Sequence, residues 1–449
     1  MKKYDVAIAG GGWAGICAAA AAAKRGAKTV LIEKSNCLGG LAGNGLIGGI
    51  LGFQTGGKPG SKVIAGEFAR IIDQLHRAGG CESYETARPP LMFNHDTFKF
   101  VAENYLDTLG VDILFHTTVI AAEKTAARIK QIMCNSSGGT EAVEAAVFVD
   151  CTGNGDLISQ AGADHFYGRD GDGLVQALGL VVYFTEVDPK WVADREKIEK
   201  ALAEERKNCR IRIYHTGVVA SQSAWGNGQY SDMLRIGGIR AAADPRDAAA
   251  VSRAEIEMRR SAMRIMDICR RNSKAFDRAS VIFPGQTGVR ECRRMAGLTT
   301  IGTEDICNAT NYPDAVARGV YWIDIHCPMG YYDDVFVCNA RCATRHECRQ
   351  REEFHDLLPA GTQGPPENSY FTIPLRALCS RNIGNLMAAG RCISASSPAI
   401  AALRAMAICA ATGEAAGAAA AMAAAKGCLP PEVDIEELQN DLRKNGALI

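Results

Sequence analysis

Short apolar runs of strand length alternate with helical patterns from the first residues of the chain. Tyr4-Asp5-Val6-Ala7-Ile8-Ala9 is one such run; Gly10-Gly11-Gly12-Trp13-Ala14-Gly15 interrupts it, and good helix formers continue to Arg25. Lys28-Thr29-Val30-Leu31-Ile32-Glu33 supplies a second strand, so the first forty residues predict a βαβ unit. Farther on, residues 96–110 read as an amphipathic helix stopped by Gly110, and 111–115 as a strand running into His116-Thr117-Thr118-Val119. A further strand over 145–150 meets Cys151-Thr152-Gly153-Asn154-Gly155-Asp156. Residues 181–184 predict a strand, and 188–209 and 248–272 predict helices with a charged face. Near the end, 385–389 is an apolar strand closed by Gly390-Arg391, followed by a long Ala-rich helix that carries Arg404. Residues 429–449 read as a polar terminal helix.

Alternating strands and helices over 449 residues indicate an α/β chain too long for one hydrophobic core. Fifty basic residues balance fifty acidic ones, which argues against a nucleic-acid binder even though Arg290 to Arg294 is locally basic. The apolar start resembles a signal peptide or membrane span, but three consecutive glycines at 10–12 would break the helix that either requires. In the Ala-rich run 399–425, Arg404, Glu414 and two glycines leave no uncharged piece of the roughly 18 residues a span needs. No membrane segment is expected, and the cytoplasm is the default location. Seventeen scattered cysteines are an odd number in a long chain, which suits reduced, buried thiols better than a disulfide framework.

The βαβ start has a chemical reading. Gly10 permits a tight turn, Gly12 allows backbone to approach a pyrophosphate, and Gly15 lets helix and strand pack closely, while the helix N-terminus offers N–H groups to the anion. Glu33, eighteen positions after Gly15, can accept hydrogen bonds from both ribose hydroxyls. This predicts a dinucleotide site without choosing between NAD and FAD.

After Glu33-Lys34 the chain enters a Gly-rich loop, Cys37-Leu38-Gly39-Gly40-Leu41-Ala42, instead of the next strand. In this it resembles the FAD-dependent oxidoreductases of the glutathione-reductase-like fold, and within them the branch related to fumarate reductase and succinate dehydrogenase flavoproteins. Three further blocks carry the resemblance. The stretch ending at Val119 looks like the element whose backbone contacts adenine; 151–156 resembles the segment that passes the pyrophosphate a second time; and Gly390-Arg391 with its following helix is similar to the closing motif at the flavin end. The resemblance implies a Rossmann-like FAD domain with an inserted α+β substrate lobe: 1–160 with 380–430, the insert 161–379, and a helical tail 431–449. It implies FAD contacts at Gly10, Gly12, Ala14, Gly15, Glu33, Lys34, Gly39, Gly40, Val119, Thr152, Gly153, Asp156, Gly390 and Arg391.

Flavin would carry the redox chemistry, leaving the protein to bind a small organic substrate and to place a cation or acid near the developing oxyanion. Arg290, His326 and Arg404 are the catalytic candidates for such hydride transfer at flavin N5. The bland readings are a structural ion pair for Arg290 and a hydrogen-bonded histidine for His326. Cys37 is a candidate for covalent flavin attachment. Cys338, Cys342 and Cys348 are dense, but their spacing matches neither zinc nor ferredoxin patterns, so no metal is expected. They motivate an alternative, a flavin subunit that relays electrons to a partner protein. The oligomeric state is not readable from the sequence.

Overall fold

The computed structural model describes residues 2–57, 60–170, 172–208, 210–213, 221–222, 233–328 and 363–449. Strand β1 (Lys2–Ala9), helix α1 (Trp13–Lys24) and β2 (Thr29–Ile32) form the βαβ unit, with β1 and β2 parallel. Helices α2 (Glu67–Arg77) and α3 (His95–Thr108) lead to β3 (Asp112–Leu114), which pairs parallel with β2. A meander of β4 (Thr118–Thr125), β5 (Arg128–Ser136) and β6 (Gly139–Asp150) follows. The far half of β6 runs parallel to β1, so the sheet order is β3-β2-β1-β6-β5-β4. β2 is buried on both faces, as strands covered by helices are, which is why Thr29 to Ile32 reads as a continuous apolar run.

After α4 (Asp156–Gln160), β7 (His165–Tyr167) and β8 (Leu178–Thr185), the chain builds a second core. It comprises α5 (Arg195–Lys207), β9 (Ser221–Gln222), β10 (Leu234–Ala241), α6 (Ala248–Asn272) and β11 (Ser280–Ile282). The sheet β11-β8-β10-β9 is antiparallel, and the amphipathic α6 buries Met258, Ala262, Ile265 and Cys269 with it. Strand β12 (Arg293–Met295) returns to pair with β7. From there α7 (Thr303–Cys307), β13 (Ala315–Gly319) and β14 (Phe371–Pro374) send Ile301, Val316 and Phe371 into the main core. The interval 161–379 therefore divides between two cores.

Strand β15 (Leu386–Ala388) adds parallel to β6. The Ala-rich segment is not one helix, as its composition suggested, but two: α8 (Ser397–Leu403) and α9 (Met406–Lys426). The break is at Ala405, whose φ of −58° and ψ of 138° are extended, and it leaves Arg404 as the C-cap of the first helix. Local packing favours the break because Arg404 donates to Asp324 while α9 turns to lie along α1. The small residues have a steric role: a Cβ on Gly413 or Gly417 would lie 2.1 Å from the backbone oxygen of Ala14 or Ala18. Among the described residues α9 is the one helix long and apolar enough to cross a membrane, and 83% of its most apolar window is buried in this fold. The terminal helix α10 (Ile435–Lys444) is polar outside but buries Leu438 and Leu442 in the main core, and Asp441 pairs with Arg25.

Between α1, α2 and α9 lies a pair of buried carboxylates. Glu67 accepts from Lys24 Nζ (2.8 Å), Arg70 Nη1 (2.7 Å) and the Tyr105 hydroxyl. Glu414 accepts from the Glu67 backbone N–H at 2.9 Å, while its Oε1 is buried without a partner. Burial, and then the Glu67 charge, push its carboxyl up to about 7. A raised acid pKa makes the folded state hold the proton more tightly, so stability is lost as pH rises from about 4.5 through 7. Glu414→Gln is expected to flatten that decline and to be the more stable protein at pH 8, by on the order of 1–3 kcal/mol. Urea denaturation at pH 5 and pH 8 checks this; parallel profiles for the two proteins would mean that Glu414 ionises normally.

Candidate active site

The C-terminal ends of β1, β6 and β15 open onto a cavity of about 460 Å³, where ligands of open α/β sheets bind. Gly10 has φ 98°, a conformation that favours glycine, and a Cβ there would lie 2.5 Å from the Cys151 oxygen. On Gly15 a Cβ would lie 1.8 Å from the Gly10 oxygen, so that glycine serves the packing of α1 on β1 and does not face the cavity. Gly12 differs from both. A Cβ there meets nothing within 4 Å, and it lines the cavity at the first turn of α1.

Of the sequence candidates, Gly10, Gly12, Ala14, Glu33, Lys34, Gly39, Gly40, Thr152, Gly153, Gly390, Arg391 and Arg404 share this cavity. The Gly39 N–H donates to the Gly11 oxygen at 2.8 Å, which lays the Gly-rich loop against the first turn. Glu33 accepts the Gly11 N–H at 2.6 Å and both the N–H and hydroxyl of Ser35, so its carboxylate braces the loop as well as facing the cavity. Besides Gly15, two cofactor candidates lie elsewhere. Val119 is in β4, packed in the core on the other side of the sheet, and Asp156 begins α4, its N–H on Thr152 Oγ1 and its carboxylate 3.9 Å from Arg293. Cys37 does not line the cavity either; its thiol donates to Asn44 Oδ1. Cys338, Cys342 and Cys348 lie outside the described residues.

Sequence reading did not find several contributors. Asp150, at the end of β6, accepts from the N–H and hydroxyl of Thr152 and from the Ile158 N–H, fixing the loop that carries Gly153. Burial pushes its carboxyl up to about 6 against those three bonds. An aspartate closing an apolar strand was the available signal. The second core brings Arg246, Thr287 and the start of α6 to the cavity wall, with no motif to announce them.

Two of the three catalytic candidates, Arg404 and His326, meet at Asp324. Arg404 Nη2 donates to its backbone oxygen (2.7 Å) and carboxylate (3.1 Å), and His326 Nε2 is 3.1 Å from the same carboxylate oxygen. Arg290 is tied through Nη1 to the Ala177 oxygen at 2.8 Å. Although burial alone would raise the Asp324 carboxyl, the His326 hydrogen bond and the Arg404 and Arg290 charges hold it well below the usual carboxylate range. Burial, then the Arg290 charge, depresses His326 far below an ordinary histidine, so its ring is neutral and donates through Nε2. Only Arg404 of the three lines the cavity.

The cavity carries a chemical signature of its own. Trp13 Nε1, Asn154 Oδ1, Thr287 Oγ1, Arg391 Nη1 and Arg404 Nε are buried without a partner among the described residues, and all belong to its lining. Unpaired buried groups each cost roughly 1–3 kcal/mol, so their concentration here marks a binding site for a polar ligand. Donors at both a glycine cradle and two guanidinium groups suit a dinucleotide with a pyrophosphate.

A model of the FAD-dependent oxidoreductase family matches residues 5–442. The chain belongs to that family. Its cofactor is FAD, and the residues present fit it: the cradle at Gly10–Gly12 and the unpartnered buried polar groups line one cavity. Solved structures similar to this FAD-dependent oxidoreductase are distant. A geranylgeranyl bacteriochlorophyll reductase-like protein from Thermoplasma acidophilum is 12% identical, with a TM-score of 0.43 over 100% of this chain and 85% of that one. The myxobacterial chondrochloren halogenase CndH is 12% identical, with a TM-score of 0.45 over 99% and 79%. The flavin-dependent brominase Bmp2 is 12% identical, with a TM-score of 0.44 over 99% and 83%.

Proposed function

We propose that this oxidoreductase transfers a hydride between a small organic substrate and N5 of its flavin, with Arg404 as the catalytic cation at the substrate end. The kinship to the fumarate reductase branch is part of the proposal and rests on the Gly39-Gly40 loop and the Gly390-Arg391 block. Arg404 carries the reading: it lines the cavity of the glycine cradle, is anchored through Nη2 to Asp324, and keeps a buried Nε–H unused. Bound FAD supplies the acceptor or donor of the electron pair. The side chains do the rest. A guanidinium held in place before reaction stabilises negative charge that develops on a substrate oxygen without reorganising. Asp324 orients it, and the neutral His326, hydrogen-bonded to Asp324, is a positioning residue that keeps this carboxylate anionic.

The test begins with the visible spectrum of the purified protein, before and after acid denaturation; flavin bands that leave with the supernatant show a non-covalently held cofactor. Arg404→Met should keep those bands, and anaerobic bleaching by whichever hydroxy, alkene or amine substrate reduces the parent should slow by on the order of 10²-fold. The flavin midpoint potential should also fall, because a cation near the reduced ring is lost. Unchanged bleaching rate together with an unchanged potential would remove Arg404 from the reacting end.

A further inference from the structure

On the second core, away from the flavin cavity, a separate cavity of about 480 Å³ is lined by Arg210, Arg212, Arg253, Arg260 and Arg264 with one carboxylate, Glu257. We infer that it is a binding site for a small, multiply charged phosphate compound of the pyrophosphate class. Helix α6 separates the two cavities: Ala248, Val251 and Glu255 line the flavin side, whereas Arg253, Arg260 and Arg264 lie on the opposite face, at spacings of seven and four.

A solvated helix face ordinarily mixes charges, and this chain has a net charge of zero, so five guanidinium groups against one carboxylate is a local surplus. Nor are these arginines splayed. The buried Ser261 hydroxyl accepts the Arg212 N–H at 2.7 Å, and Arg264 Nη1 donates to the Arg210 oxygen at 2.6 Å, so the segment 210–213 is held against α6. Arg212 is paired with Glu257 and Arg210 with Glu205, but no carboxylate lies within ion-pair distance of Arg253 or Arg260 among the described residues. Gathering like charges in one cavity is unfavourable unless an anion offsets it, and guanidinium forks match phosphate oxygens in pairs. Among the described residues the lining holds no aromatic ring to stack a base and one apolar side chain, Ile256, which suits the phosphate groups of a ligand.

The probe is inorganic pyrophosphate, titrated by calorimetry into the FAD-loaded protein at low ionic strength. Saturable binding is expected, weakened about tenfold by Arg253→Ala and by Arg260→Ala, each of which removes one charge-assisted contact. Both side chains are exposed and line only this cavity, so folding and flavin content should match the parent, and both are measured alongside. No saturable heat at millimolar pyrophosphate, or binding indifferent to both substitutions, would overturn the inference. So would arginine-dependent binding of single-stranded RNA or anionic lipid vesicles without binding of pyrophosphate, which would make this a macromolecular surface.

Discussion

Gly12→Val is expected to give a folded protein devoid of FAD. The three glycines of the first turn are not equivalent, and their surroundings say how each would fail. Side chains at Gly10 or Gly15 would strike backbone at 2.5 and 1.8 Å, so those substitutions test folding before they test binding. A Cβ at Gly12 meets no protein atom within 4 Å, and Gly12 lines the cavity as the N-cap of α1, the helix end where a pyrophosphate would bind. The isolated cost to the fold is of the size of an N-cap change, roughly 1 kcal/mol. The far-ultraviolet dichroism and denaturation midpoint of the apoprotein should therefore survive, while absorbance near 450 nm after desalting in excess FAD disappears. Full flavin occupancy in a folded Gly12→Val protein would show that the cradle holds something else.

Arg391→Met is expected to lower FAD affinity by about 10²-fold or more while leaving the apoprotein as stable as before, or more so. Arg391 packs against Gly153, where a Cβ would come within 2.2 Å of its Nη2; its Nη1 is buried without a partner, and no carboxylate pairs with it among the described residues. Burial, unopposed by an acidic partner, depresses its guanidinium, and Arg404 adds a further like charge. A buried cation in that condition destabilises the empty fold and becomes favourable only against an anion, such as the two phosphates held at the cradle it faces. The two measurements then move in opposite directions: the thermal midpoint without FAD rises or holds, and the increase on adding FAD shrinks. A drop in apoprotein stability with FAD affinity intact would make Arg391 a structural residue.

Much of the scaffold was legible because its causes are local. The run 248–272 is a helix by periodicity alone, and the structure begins and ends it there. The Ala-rich end reads as continuous because no helix-breaking residue stands at 403–406; what separates α8 from α9 is the hold of Asp324 on Arg404 and the fit of Gly413 and Gly417 on α1. Val119 and Asp156 were assigned to the cofactor by block resemblance, and neither lines the cavity. Strand order sends β4 to the far edge of the sheet and turns Val119 into the opposite core.

The sequence by itself determined the βαβ start, the glycine turn and the acid after β2, since hydrophobic periodicity and the steric needs of a tight turn act between near neighbours. Only the tertiary structure decided which charges meet. Arg404 and Asp324 stand eighty positions apart, and their pairing arises from the return of the chain out of the second core. It also decided that α6 walls the flavin cavity on one face and gathers arginines on the other, and that Glu414 is buried against Glu67, which pushes its carboxyl up. Burial and charge proximity set those outcomes, and neither is written in the spacing of residues along the chain.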